Sequence, residues 1–151
     1  MDSVEGCQSH CCEIAIVGGG CSGALVAAQI LRSGFSGRIA IIETRLRLGH
    51  GLAYSTPFEQ HLLNVPTRNM SAFPDEPAHF VEWLRARWPG AVPDAFAPRK
   101  MYGEYIEDVL WTSVRAQRDA SRACTPASRS ATSSKSKSGG WRPSAPATSG
   151  S

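Results

Sequence analysis

The chain has 151 residues, 42% of them hydrophobic, with a formal net charge of +3. That length allows one ordinary domain. The positive charge sits at one end: residues 117–151 hold six Lys/Arg against one acid, a net of +5, which leaves residues 1–116 at about −2. A nucleic-acid surface on the apolar part is therefore not expected. The first residues have no basic or apolar stretch of the kind a secretory signal needs. No apolar run approaches bilayer length, so the expectation is a cytoplasmic protein with no membrane partner.

Residues 1–12 are polar and read as a disordered N-terminus. Three of the five cysteines, Cys7, Cys11 and Cys12, crowd around His10 there, with Cys21 and Cys124 further on. No second Cys/His pair stands at zinc-finger spacing, so no metal site is expected, only free thiols in a reducing compartment. Residues 13–17, Glu-Ile-Ala-Ile-Val, form a short β-branched run leading into Gly18-Gly19-Gly20. This predicts a buried parallel strand ending in a tight turn. Residues 22–31 predict a helix packed against a sheet, because Ala24, Leu25, Ala27, Ala28, Ile30 and Leu31 make it apolar on more than one side; Ser33-Gly34 ends it. Residues 38–43 predict a second buried strand. Strand, helix and strand within about thirty residues make a βαβ unit with parallel neighbouring strands.

Residues 44–73 read as irregular, punctuated by Gly49, Gly51, Pro57 and Pro66. A stretch this long and this apolar is expected to be functional rather than a linker. Asp75 is a candidate cap for a helix with Pro77 in its first turn. Phe80, Trp83, Leu84 and Trp88 recur at helical spacing, and Pro89-Gly90 stops the pattern. A further helix is expected from Lys100 to about Ala116, with Tyr102, Tyr105, Ile106, Val109 and Leu110 on its core face. From Gln117 onward there is no Leu, Ile, Val, Phe, Met or Tyr, and ten of 35 residues are Ser. That composition predicts a disordered tail over 117–151.

The run Gly18-Gly19-Gly20-Cys21-Ser22-Gly23 fits G-x-G-x-x-G. It follows a strand, opens a helix, and is followed by an acid, Glu43, twenty residues after Gly23. Each position has a role in binding a dinucleotide. Gly18 permits the turn out of the strand, Gly20 lets a pyrophosphate approach the backbone, and Gly23 lets the helix pack closely. The pyrophosphate then meets free N–H groups at the helix N-terminus. Glu43 is placed to accept both ribose hydroxyls, and its charge disfavours a 2′-phosphate. The alternative is a glycine-rich turn with no ligand. FAD is favoured over NAD because the chain after Glu43 enters a long glycine-bearing loop, not a helix and third strand.

Several further segments, in order, resemble a known family. They are Ile16-Val17-Gly18-Gly19-Gly20, then Leu48-Gly49-His50-Gly51-Leu52-Ala53-Tyr54-Ser55-Thr56, Leu62-Leu63-Asn64-Val65-Pro66 and Met70-Ser71-Ala72-Phe73-Pro74. Phe96-Ala97-Pro98-Arg99 and Tyr102-Gly103-Glu104-Tyr105 complete the set. Residues 13–110 thereby resemble the N-terminal part of the FAD/NAD(P)-binding oxidoreductase family of two-dinucleotide-domain flavoproteins and, more distantly, flavin-dependent amine N-hydroxylases. The resemblance implies FAD as cofactor, NAD(P)H as electron donor in a full-length parent, and a small-molecule substrate of unspecified identity. By residue match it implies that Gly18, Gly19, Gly20, Cys21, Ser22, Gly23 and Glu43 form the FAD site, with Gly49 and Gly51 beside it. Asn64 and Met70 are placed toward the flavin; His50 and His61 receive no role, and no catalytic residue is named.

The expected fold class is thus α/β: an incomplete Rossmann-like FAD-binding βαβ unit, then a loop and two helices, then a disordered C-terminal tail. The expected division is 1–12, 13–116 and 117–151. The family pattern calls for a third strand, a second dinucleotide domain and a closing segment, none of which is legible. One explanation is a frameshift. If G fills most third codon positions, residues 131–138 read one frame over give Gly-Asp-Val-Val-Glu-Val-Glu-Val, an alternating strand pattern. A natural disordered tail is the competing explanation. Three functional readings remain: the FAD-binding start of an NAD(P)H-linked oxidoreductase, an inactive remnant or nucleotide-binding module, and a small NAD-dependent dehydrogenase domain. The loop after Glu43 disfavours the last.

Overall fold

The computed structural model describes residues 11–123. The β-branched run forms β1, Ile14–Val17, and its counterpart forms β2, Ile39–Ile42. They pair in parallel, with Ile14 opposite Ile39 and Val17 opposite Ile42. Between them runs α1, Cys21–Arg32. The βαβ unit is therefore present as expected. At the end of α1, Gly34 takes a left-handed φ of 84° and its N–H donates to the Leu31 carbonyl.

The strands are less buried than their composition implies. The side chains of β1 alternate in exposure and those of β2 are half-buried up to its last residue, with Val17 83% and Ile42 57% exposed. A parallel sheet normally needs cover on both faces. Among the described residues the sheet has two strands, too small an area to take all of α1. The buried stripe of α1, Ala24, Ala27 and Ala28, belongs instead to a core shared with a long helix, α3, Arg99–Ala123. Alanines at these positions let the two helices approach closely, and α1–α3 is the most extensive contact between elements.

The other half of the core is aromatic. A short helix, α2, His79–Arg85, carries Phe80, Val81 and Leu84 inward. The Phe80 ring meets Tyr102 edge-on at 5.1 Å and Tyr105 at 4.7 Å. All five residues assigned to the core face of α3, from Tyr102 to Leu110, are buried. α2 begins later than its capping signal suggests. Its first turn follows Ala78, because the Asp75 carboxylate is engaged by Arg32 of α1 at 2.8 Å, as is Glu76 at 3.1 Å. Trp88 lies beyond the helix and is 41% exposed.

The irregular segment after β2 is held by backbone pairing. Leu63 N–H donates to the Ala97 carbonyl at 2.8 Å, and Leu62 bridges Pro98. The buried Thr67 hydroxyl donates to the carbonyls of Val92 and Pro93 from a single 3-10 turn, Thr67–Asn69. Much of this segment thus serves packing.

α3 also runs beyond Ala116, to Ala123. Loss of apolar residues removes a reason to be buried, but Ala, Gln and Arg remain good helix formers. Gln117 further anchors this turn by donating to the Phe35 carbonyl. Cys11 and Cys12 are exposed free thiols, and no His/Cys/Asp/Glu cluster suited to a metal occurs among the described residues. Cys7, His10, Cys124, the remainder of the tail and the segment invoked for the frameshift lie outside the described residues.

Candidate functional site

The glycine turn takes its shape from two constraints. Gly18 leaves β1 with φ 96°, a conformation side chains disfavour, while its N–H still donates to the Ile42 carbonyl. Gly23 stacks on that same residue so closely that a Cβ would stand 1.9 Å from the Gly18 oxygen. Together these start α1 directly at the strand end. The residue before the helix is Gly20, so no side chain caps the terminus. The first helical N–H to reach a carbonyl is that of Ala24, on Gly20. The N–H groups of Cys21, Ser22 and Gly23 belong to the uncapped first turn, where the helix dipole also favours negative charge.

A second glycine loop closes on this turn. Gly49 N–H donates to the Gly19 carbonyl at 2.8 Å, and a Cβ on Gly20 would meet the Gly51 Cα at 3.2 Å. The two loops enclose an open cavity of about 450 Å³. Gly18, Gly20, Cys21, Ser22, Gly23 and Gly51 line it, joined by Val17, His50, Leu52 and Tyr54. Gly19 and Gly49 stand behind this lining and connect the loops. Asn64 is exposed and Met70 packs against the core; neither lines the cavity. His61 accompanies Thr56 at the surface. Val17, His50, Leu52, Ala53 and Tyr54 line the cavity although the sequence pattern assigns them no role; of these His50 and Tyr54 bring polar side chains. The signal for His50 was its place between two glycines.

Glu43 sits at the edge of the turn and is partly committed to it. Its Oε2 accepts from Gly19 N–H at 2.9 Å; its Oε1 accepts from the N–H groups of Thr44 and Arg45 and from the Thr44 hydroxyl. The N–H of Arg45, followed by that of Gly19, holds this carboxyl below its ordinary range, so it is anionic at neutral pH. A carboxylate oxygen offers two lone pairs. Oε1 is saturated and Oε2 keeps one site open, enough for one ribose hydroxyl. Nearby, burial pushes the Cys21 thiol and the Tyr54 phenol up, so both stay neutral beside the cavity.

A glycine turn, an uncapped helix N-terminus and an acid at the end of β2 are the elements a dinucleotide site requires. Residues 15–145 match the family described as FAD-NAD(P)-binding. The chain belongs to the FAD-NAD(P)-binding family. The match covers most of the chain and extends past the segments that carry the resemblance in the sequence. For an FAD-NAD(P)-binding protein, the bare first turn of α1 and the open space at Gly18 fit a pyrophosphate, whereas the space at Gly20 is taken by the Gly51 backbone and not left for a ligand. No curated protein and no solved structure matches the chain. Among the described residues, no helix is long and apolar enough to cross a membrane.

Proposed function

We propose that this chain is the FAD-binding portion of an FAD-dependent oxidoreductase, supplied with electrons by NAD(P)H and acting on a small-molecule substrate in the cytoplasm. The observation that carries this reading is the uncapped first turn of α1 opening onto a cavity closed by a second glycine loop. Cys21, Ser22 and Gly23 hold the pyrophosphate through backbone N–H groups, with Gly18 leaving room for it and Gly20 admitting the Gly51 loop beside it. Glu43 accepts one ribose hydroxyl through Oε2 and repels a 2′-phosphate. FAD, when bound, supplies the redox chemistry, and the protein supplies binding and orientation. FAD is preferred to NAD because the chain after Glu43 returns to the glycine turn through Gly49 and Gly51.

The test is an absorbance spectrum of the purified chain after FAD is added and excess removed. Flavin bands near one equivalent are expected; a colourless protein refutes FAD binding by this chain. A second reading, a nucleotide-binding module or remnant without turnover, is favoured by the exposure of Val17 and Ile42 on the two-stranded sheet. Adding NAD(P)H to the FAD-loaded chain without oxygen separates the two. Bleaching of the flavin supports the oxidoreductase, and an unchanged spectrum supports the module.

A further inference from the structure

Apart from Tyr102 and Tyr105, three polar side chains are buried among the described residues: His50, Thr67 and Ser113. Thr67 and Ser113 donate to backbone carbonyls. His50, which lines the cavity, differs because both of its ring nitrogens face acceptors. Nδ1 lies 3.2 Å from the Tyr54 carbonyl oxygen, and Nε2 lies 3.3 Å from Glu107 Oε2 on α3. The carbonyl has no proton to give. Burial alone would raise Glu107, but Arg47 and His50 outweigh it and keep the carboxyl ionised. A neutral imidazole has one N–H and one lone pair, so it serves one acceptor and turns a lone pair on the other. The ring serves both only when it carries two protons.

The surroundings are shaped for this ring. Gly103 of α3 lies against it, where a Cβ would stand 2.5 Å from Nδ1. The loop that carries it is tied at both ends. Gly49 N–H donates to Gly19, Tyr54 N–H donates back to the His50 carbonyl at 3.1 Å, and the Tyr54 ring packs edge-on against Tyr102. His50 is one of two polar links between this segment and α3; the other is Arg47, whose Nε donates to the same Glu107 Oε2 at 3.1 Å and which lacks the bond to the Tyr54 carbonyl.

We propose that His50 is a protonation-dependent latch: its doubly protonated ring bridges the Tyr54 carbonyl to Glu107 and holds loop 49–54 against the N-terminus of α1. An engaged latch keeps the cavity wall in place and so favours ligand retention, a consequence that rests on the dinucleotide reading of the cavity. Around His50 and Tyr54 stand Arg47 of the preceding segment, Arg99, Tyr102 and Glu107 of α3, and Cys21 of α1. Glu107 stays anionic, and burial keeps both tyrosines and the thiol neutral. Histidine is the side-chain type in this set that ordinarily changes charge between about pH 5 and 8. Because protonation engages it, the latch tightens as pH falls and releases as pH rises.

The experiment uses the full chain without nucleotide. Hydrogen exchange at the Gly49 and Tyr54 amides, corrected for the intrinsic effect of pH, is followed from about pH 5 to 8. Protection should fall with rising pH by about tenfold or more, the scale of a charge-assisted hydrogen bond. Glu107→Gln, which keeps the side-chain shape, should flatten the profile; His50→Asn should do the same if circular dichroism shows it folded. A flat profile in the native chain overturns the latch, as does full pH dependence in Glu107→Gln. FAD retention is measured in parallel. A pH-dependent loop that retains no FAD at any pH supports the latch and refutes the dinucleotide reading.

Discussion

Glu43 shows how one side chain serves fold and site together. Its carboxylate holds Gly19 in place and leaves one acceptor position on Oε2. Glu43→Ala removes both contributions, so FAD retention should weaken severalfold or more; undiminished retention in a dialysis assay would refute the ribose role. The pH dependence has a definite sign. A carboxyl with a lowered folded pKa contributes stability above its unfolded value, near 4.5, and loses it as pH falls through the lower folded value. The Gly19 amide resonance should therefore titrate with a midpoint below 4.5, and Glu43→Ala should abolish that titration. The acid was legible from its spacing to Gly23. Its bonds to Thr44 and Arg45 were not, because they depend on how the chain turns after β2.

At the scale of elements, α3 ties the fold together, packing on α1 and reaching the segment before α2. Its Tyr105 hydroxyl is buried between elements: Ala72 N–H donates to it at 2.9 Å, and His79 Nδ1 lies 2.8 Å away. Tyr105→Phe leaves a buried N–H without its partner, which costs about 1–3 kcal/mol. The denaturation midpoint should fall with no change in the slope of the transition. An unchanged midpoint would show that water replaces the hydroxyl. The core face of α3 could be read from helical periodicity alone. Its partner could not. Ala24, Ala27 and Ala28 announce a close contact without saying whether a sheet or a helix makes it. Asp75 likewise carried a valid capping signal that Arg32, 43 residues away, overrode.

Across the whole molecule, burial is uneven. The helices enclose a core, while Val17 and Ile42 of the two-stranded sheet and Leu46 beyond it are exposed. Unpaired strand edges next to exposed apolar side chains favour self-association. Ile42→Lys should lower light scattering at high protein concentration without lowering the melting temperature. Equal scattering from both proteins would place the sticky surface elsewhere.

By itself the sequence determined the βαβ unit, the dinucleotide fingerprint and the core face of α3, because each is a local pattern of strand, turn or helix periodicity. It also determined family membership, through segments spread over two-thirds of the chain. Tertiary structure decided that Gly49 and Gly51 close on the turn formed by Gly18, Gly20 and Gly23. It also decided that α1 packs chiefly on α3, that much of the loop after β2 serves packing, and that His50 meets Glu107. These depend on contacts between residues far apart in the chain, whose geometry no local spacing encodes.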